Sequence, residues 1–344
     1  SAADFPALVF QQAVLPPKAG GAALACADVV CETAFLACTL ACVVFLRAHA
    51  VLLRAPADLS EACPLPMYDL LRGAHARLRA DSATPVQDLS PLLSGSTPPA
   101  QRVLSEGVWD RRQAAVRGLQ PDDRERARVC SAAGQHAGAW LGAMPVSQRL
   151  RALPRMFQLG LCMRLGAPIS DVAERPGARC VCGDLHDAGG WHPSVCRRGN
   201  RDGAWTTRHD ALQWALVWVL RRLRGQAQAV GKRQMFGSAS FTHAGRALHA
   251  DIVSYHWRGP GRHLWVDVAV ATPAALEAMR ATPSARDAPG VAALLRERKK
   301  HRKYGATVDA VGGCFRAGVM ERFGAVGDDM EASVRGACGD LNRD

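Results

Sequence analysis

Lysine is scarce in this chain of 344 residues: Lys18, Lys232, Lys299, Lys300 and Lys303 are the whole supply, against 38 arginines. Three of these lysines fall within five residues. In a chain that otherwise favours arginine, that cluster points to a need for primary amines, because an ammonium is a compact, tunable charge and a guanidinium is not. Long hydrophobic runs are missing as well. The most apolar stretch, residues 33–46, is 14 residues long and lies between Glu32 and Arg47. A spanning helix needs about 20 apolar residues, so this one is expected to be buried in protein, with no membrane as partner. No secretory leader opens the sequence. Its 12 cysteines are therefore expected as reduced thiols inside a cell rather than as a disulfide framework. The first residue is Ser1, not Met, and a segment of a longer polypeptide is expected.

What is present is a globular composition: 48% hydrophobic and 22% charged residues exclude a disordered or collagen-like chain. The length suits two or three domains. The formal net charge is +12 and the pI about 9.5, which favours an anionic partner, nucleic acid ahead of a membrane surface.

The N-terminal half reads as helical. Cys31, Phe35, Cys38, Cys42 and Phe45 recur at three- and four-residue spacing and predict one apolar, core-facing stripe of small residues. Residues 83–100 are rich in Ser, Thr and Pro and read as a surface linker. Pro121-Asp122-Asp123 opens a charged helix, with acids near the positive end of its dipole. Ser147 can cap a short helix and Pro154 start another. After residue 205 the pattern changes. A strong helix is expected over 204–224, with His209, Leu212, Leu216, Leu220 and Leu223 on one stripe. Two alternating runs, 248–257 and 263–271, read as a hairpin around Arg258-Gly-Pro-Gly-Arg262. A basic helix over 290–309, a strand over 314–320 and a helix over 327–338 complete a mixed α/β domain.

Between the halves, Cys180, Cys182, His192 and Cys196 place three thiols and an imidazole within 17 residues, a complete tetrahedral zinc set. Gly183 suits the tight turn that brings two near-adjacent thiolates to one ion. His186 competes with His192 as the fourth ligand. Four protein ligands leave no place for water, so the zinc is expected to be structural.

Asp251 and Asp267 lie in apolar strand runs, where a carboxylate is costly unless bound. If Trp257 faces His263, Asp267 lies opposite Val253, two residues along from Asp251, and both aspartates share one face. Two carboxylates with a basic helix nearby form a Mg²⁺ site for phosphodiester chemistry. In that helix Glu297, Lys300 and Lys303 or Tyr304 fall on one face, while Lys299 and Arg302 point aside. A lysine here can orient water or stabilise charge on phosphorus. The plainer role is a solvated basic face that grips phosphates.

Read in order, these residues resemble the C-terminal region of site-specific, early-branching non-LTR retrotransposon polyproteins. Such proteins carry a restriction-enzyme-like endonuclease of the PD-(D/E)xK superfamily. Leu15-Pro-Pro-Lys-Ala-Gly-Gly21 and Ala34-Phe35-Leu36 resemble the segment past the reverse-transcriptase thumb. Residues 131–141 and Arg164-Leu-Gly166 resemble the helical linker. Cys180, Cys182, His192 and Cys196 match the zinc knuckle, and Arg208-His209-Asp210 the motif on the next helix. Ala250-Asp251, Val266-Asp267-Val268 and Lys300-His-Arg-Lys303-Tyr304 match the nuclease motifs; residues 315–324 resemble its closing strand and turn. Ala250 replaces a frequent proline, and Ala269 stands where simpler superfamily members place the lysine. Arg233-Gln234 occupies the region where relatives often have a Glu. No Tyr/Phe-Ala-Asp-Asp polymerase motif occurs.

The resemblance implies an α/β fold class with five parts: a helical post-reverse-transcriptase segment (1–82), a linker (83–100), a helical linker domain (101–175), a zinc knuckle (176–203) and a restriction-like endonuclease domain (204–344). It implies an intracellular, nuclear endonuclease that nicks target DNA and exposes a 3′-hydroxyl for reverse transcription. Asp251 and Asp267 would hold Mg²⁺, with the Val268 carbonyl as a further ligand. Lys300 or Lys303 would be the catalytic amine, and His209 a phosphate or water contact or a packed core residue. Arg208, Lys299, Arg302 and Tyr304 would meet nucleic acid. Implied partners are target DNA, element RNA and the upstream reverse-transcriptase region in cis. The rival reading is a non-catalytic nucleic-acid-binding module, a decayed or repurposed element fragment.

Overall fold

The computed structural model describes residues 5–24, 27–49, 66–86, 88, 101–143, 152–169, 177–196, 198, 204–224, 227–229, 241–243, 246–248, 250–255, 257, 261–273 and 287–339. Ser147, Arg233-Gln234 and most of the expected linker lie outside them. The chain forms two compact units, residues 1–119 and 120–344. The boundary falls inside the segment expected as one helical region, 101–175, because the first helix of that segment belongs to the N-terminal unit.

Among the described residues, the N-terminal unit is helical: α1 (Phe5–Val14), α2 (Ala27–His49), α3 (Pro66–Asp81) and α4 (Gln101–Gly118). Leu36 and Leu40 of α2 pack with Leu71, Leu78, Leu104 and Val108. Each fully buried leucine is worth about 1.5–3 kcal/mol. The expected stripe is corrected here: Cys31, Phe35, Cys38 and Cys42 are exposed, and the Phe45 side chain lies outside the described ones. The helix turns Leu36 and Leu40 inward instead, beside Thr33, whose hydroxyl accepts from the buried Ser105 hydroxyl at 3.1 Å. Gly107 admits the chain after α3, since a Cβ there would lie 2.0 Å from Ser82 Oγ.

The C-terminal unit is mixed α/β. It begins with α5 (Asp123–Ala132), capped by Asp122, whose side chain accepts from Glu125 N–H; Pro121 thus precedes the cap rather than entering the first turn. A single turn, α6 (Ala139–Gly142), precedes α7 (Pro154–Leu165), which starts on its proline and ends on the left-handed Gly166. The short α8 (Trp191–Val195) and the long α9 (Ala204–Arg224) follow. The strands are β1 (Ala227–Ala229), β2 (Phe241–His243), β3 (Arg246–Leu248), β4 (Ile252–Ser254), β5 (Leu264–Ala271) and β6 (Cys314–Glu321). The helices α10 (Val291–Asp309) and α11 (Asp328–Gly339) complete the unit. One sheet runs β1-β4-β5-β6, and β2 pairs with β3 in a second.

β5 and β6 are parallel, and α10 is the crossover between them. Both faces of the main sheet are therefore covered, and β5 alternates between two cores rather than between core and water. Leu264, Val266 and Val268 pack with Leu212, Leu216, Val217 and Leu220 of α9 and with Met330 of α11. Ala269 packs on the other face with Ala293, Tyr304 and Val308 of α10. Asp267 shares that second face, which aims its carboxylate at α10.

The hairpin register differs from the expected one by two residues: Val253 lies opposite Trp265, not Asp267, and Ile252 opposite Val266. The shift keeps the parity, so the facing of the side chains survives. Asp251 N–H also donates to the Val266 carbonyl, at 2.9 Å. Two residues thus oppose one, the arrangement of a β-bulge, which re-aims the bulged side chain.

Candidate functional site

The cysteine–histidine centre is built from a tight turn and the start of a short helix. Gly183 adopts φ 97, a left-handed conformation that disfavours any side chain, and its N–H donates to the Cys180 carbonyl at 2.8 Å. That turn brings Cys180 and Cys182 to one side. Asp187 accepts from the Trp191 and His192 N–H groups and so caps α8, which delivers His192 and Cys196. The four ligand atoms all lie within 4.8 Å of one another. Cys180 and Cys196 Sγ are 3.6 Å apart, and Cys182 Sγ lies 3.2 Å from His192 Nε2. Tetrahedral bonds of about 2.3 Å to sulfur and 2.1 Å to nitrogen require separations of about 3.5–3.8 Å. The cluster can hold a metal ion, and its dimensions are compatible with zinc.

The Asp184 N–H favours the Cys182 thiolate, but desolvation and the neighbouring Cys196 and Cys180 sulfurs outweigh it and push the thiol up to about 11. A bound cation removes that penalty, since it is the thiolate that ligates. Between the two histidines the geometry selects His192. His186 is not among the four converging groups and stands edge-on to the His192 ring at 5.7 Å. Asp184 Oδ2 lies 3.7 Å from His192 Nδ1, on the side where a carboxylate fixes the tautomer of a ligating imidazole.

Trp191 fastens this centre to the rest of its unit. The indole N–H donates to Glu125 of α5 at 2.6 Å. Its ring meets Phe323 edge-on at 5.2 Å, and the Arg322 guanidinium lies 5.8 Å above it.

The second constellation joins α9, β4, β5 and α10. The Asp251 and Asp267 carboxyls lie close enough for each to shift the acidity of the other. Asp251 Oδ2 accepts from Val268 N–H at 2.6 Å and meets His209 Nε2 at 3.1 Å. Gln213, one turn beyond His209, donates to the Asp251 carbonyl. Lys300 donates to Asp267 and, at 3.1 Å, to the Val268 carbonyl. Only 9% of Lys300 and 8% of Asp267 is exposed, so the pair sits in a medium where charge is strongly felt.

Burial pushes Asp267 up to about 6, opposed by Lys300 and reinforced by Asp251. Burial raises Asp251 too, but His209, Asp267 and the Val268 N–H outweigh it and hold this carboxyl below its usual range. Two neighbouring carboxyls have thus been driven apart in acidity, as happens when like charges cannot both ionise freely. The Asp251 hydrogen bond, aided by Asp210, outweighs desolvation and lifts His209 to about 9. Burial lowers the Lys300 ammonium, against the attraction of Asp267.

The remaining candidates separate by helix face. Lys303 is exposed, and its amine donates to the Tyr304 hydroxyl at 2.9 Å rather than to either aspartate. Tyr304 is buried and stacks on Phe315. Lys299 and Arg302 are exposed. Arg208 is half-buried, and its charge adds to burial in lowering the Arg322 pKa to about 10. Sequence reasoning missed Gln213, although its four-residue offset from His209 was a usable signal. It also missed the role of Glu297, which accepts from Asp329 N–H at 3.2 Å at the start of α11. Burial and the charges of Asp329 and Asp328 push Glu297 up to about 7.

No protein-family model matches this chain, and no curated protein matches it. Among the described residues no helix is long and apolar enough to cross a membrane.

Proposed function

We propose that the chain is a Mg²⁺-dependent DNA endonuclease with a structural zinc centre. The observation that carries this reading is the convergence of Asp251, Asp267 and Lys300, brought together from the residue before β4, from β5 and from α10. In it Asp251 and Asp267 hold the divalent ion, which supplies Lewis-acid polarisation of the phosphate. The Lys300 ammonium stabilises charge on the phosphate oxygens or orients the attacking water. Water adds to phosphorus and the bond to O3′ breaks. One product end carries a 5′-phosphate and the other a 3′-hydroxyl, which takes up the proton. His209 and Gln213 orient Asp251. The exposed Arg296, Lys299, Arg302 and Lys303 of α10 grip the backbone, and Arg208 assists from α9. The zinc centre holds α8 so that Trp191 remains seated. The ordered motifs support a place in a non-LTR retrotransposon polyprotein, acting in the nucleus, with the 3′-hydroxyl priming reverse transcription and element RNA as a second partner.

The test is nicking of supercoiled plasmid with Mg²⁺ or Mn²⁺, comparing the unaltered chain with Asp267→Ala and Lys300→Ala. Metal-dependent nicking lost in both variants supports the reading; no nicking by the unaltered chain overturns it. One observation favours the non-catalytic binding module instead: each aspartate already has a cationic partner, Lys300 for Asp267 and His209 for Asp251. That reading requires full DNA affinity without cleavage under any divalent ion.

A further inference from the structure

The outward face of α9 carries two large side chains that no core requires. Trp214 and Trp218 stand one turn apart and are 58% and 56% exposed, whereas Leu212, Leu216, Val217 and Leu220 on the same helix are buried. An indole covers a large apolar area when packed, so two left in water on one face mark a surface that something covers. Arg221 and Arg222 are exposed at the end of the helix, and the Arg222 guanidinium lies 5.8 Å from the Trp218 ring. From residue 211 to residue 224 the helix has no acidic residue.

We propose that this face is a stacking platform for the unpaired bases of a DNA strand. Exposed rings beside basic side chains are the combination that holds single strands, since every base has a π face and the backbone is anionic. The net charge of +12 suits the same occupant. A partner helix would instead find poor purchase, because the exposed positions beside the rings are the small Ala211 and Ala215. Residues four apart advance about 6 Å along a helix axis, close to twice the ~3.4 Å repeat of stacked bases. The rings can therefore carry neighbouring bases or bracket one between them. The platform lies on the same helix that carries His209 and Gln213 to Asp251, on its opposite, solvent-facing side. The choice of DNA rests on the proposed endonuclease reading; the stacking rests on the exposed rings and arginines alone.

Fluorescence anisotropy with labelled oligo-deoxythymidine, without added magnesium, reads the platform apart from cleavage. The Trp214→Ala/Trp218→Ala chain should lose single-strand affinity by about tenfold or more per ring, with duplex affinity changed less than about twofold. The Trp214→Phe/Trp218→Phe chain keeps both rings and should retain most of the affinity. Arg222→Ala should reduce the salt slope by about one, while the tryptophan variants leave it unchanged. Asp267→Ala should abolish nicking yet keep the tryptophan-dependent affinity. Four results overturn the proposal: unchanged single-strand affinity in the double alanine chain, equal losses on single strand and duplex, loss confined to oligo-uridine, or conversion of a dimer to a monomer with DNA binding intact. Tryptophan-dependent binding in a chain that never nicks keeps the platform and sinks the nuclease; nicking with tryptophan-independent binding does the reverse.

Discussion

The two constellations of the C-terminal unit are assembled in opposite ways. The cysteine–histidine centre closes within 17 residues, from one turn and one short helix, and its geometry is local. The carboxylate–lysine site draws His209, Asp251, Asp267 and Lys300 from two helices, one strand and the bend before another, on both faces of a sheet. A local site depends on its ion, because the loop around it has little core of its own. A distributed site depends on the sheet, and its cations, Lys300 and His209, are supplied by the protein. If this contrast is right, losing the zinc should damage stability first, and losing a carboxylate should damage chemistry first.

The largest effect should come from the distributed site. Asp267→Ala or Lys300→Ala should lower plasmid nicking by a factor of 10² or more, the size typical of removing one electrostatic group from an active site. Circular dichroism melts should show a much smaller proportional change, since the sheet beneath is apolar. Asp267→Ala leaves Lys300 buried without its carboxylate, so the double variant Asp267→Ala/Lys300→Ala should melt higher than Asp267→Ala alone. A double variant that melts lower would show that the pair is structural.

The next effect tests the other half of the contrast. Cys196→Ser should bind less than one zinc per chain by atomic absorption and should loosen α8. Trp191 would then leave Glu125 and Phe323, a change readable as a red-shifted tryptophan emission. A fall in unfolding free energy of about 2–4 kcal/mol is expected, less than the full binding energy of a structural zinc because the sheet folds without it. Retained zinc with unchanged emission would sink the centre as drawn.

The same contrast governs what the sequence disclosed. The cysteine–histidine cluster was legible because spacing alone determines whether a short loop can close on an ion. Asp251 and Asp267 were legible as a pair because strand alternation fixes facing, and a register error of two residues leaves facing intact. The bulge at Asp251 was not legible: it depends on Val266 accepting from Asp251 N–H as well as pairing with Ile252, and no local signal marks it. The choice of Lys300 over Lys303 needed the rotation of α10 on the sheet, which buried Tyr304 and Val308 determine. In the N-terminal unit the apolar stripe misled, because α2 has apolar residues on more than one face and the face carrying Leu36 and Leu40 took the core.

A smaller effect concerns Glu297, beneath the α10–α11 junction. Its folded pKa of about 7 lies above the ordinary 4.5, so the native state retains a proton that the unfolded chain releases. Stability is therefore greatest below the unfolded value and declines as pH rises through 7. Glu297→Gln keeps an oxygen to accept from Asp329 N–H and removes the titration. The variant should melt like the unaltered chain at pH 4 and be the more stable of the two at pH 8, by about 1–3 kcal/mol. Equal melting at both values would place the proton elsewhere.

The smallest effect sharpens the division of labour along α10. Lys299 and Lys300 are adjacent, yet one is exposed and the other buried against Asp267, as a turn of about 100° per residue requires. Lys299→Ala removes a single solvated charge. It should weaken duplex binding by a few-fold at most, lower the salt slope by about one and leave the cleavage rate of bound DNA unchanged. Lys303→Ala should behave alike, with the added loss of its bond to the Tyr304 hydroxyl. If Lys303→Ala instead slows single-turnover cleavage as much as Lys300→Ala does, the amine that acts on phosphate swings in from the surface. Lys300 would then serve to neutralise Asp267, and the buried pair would belong to the fold rather than to the chemistry.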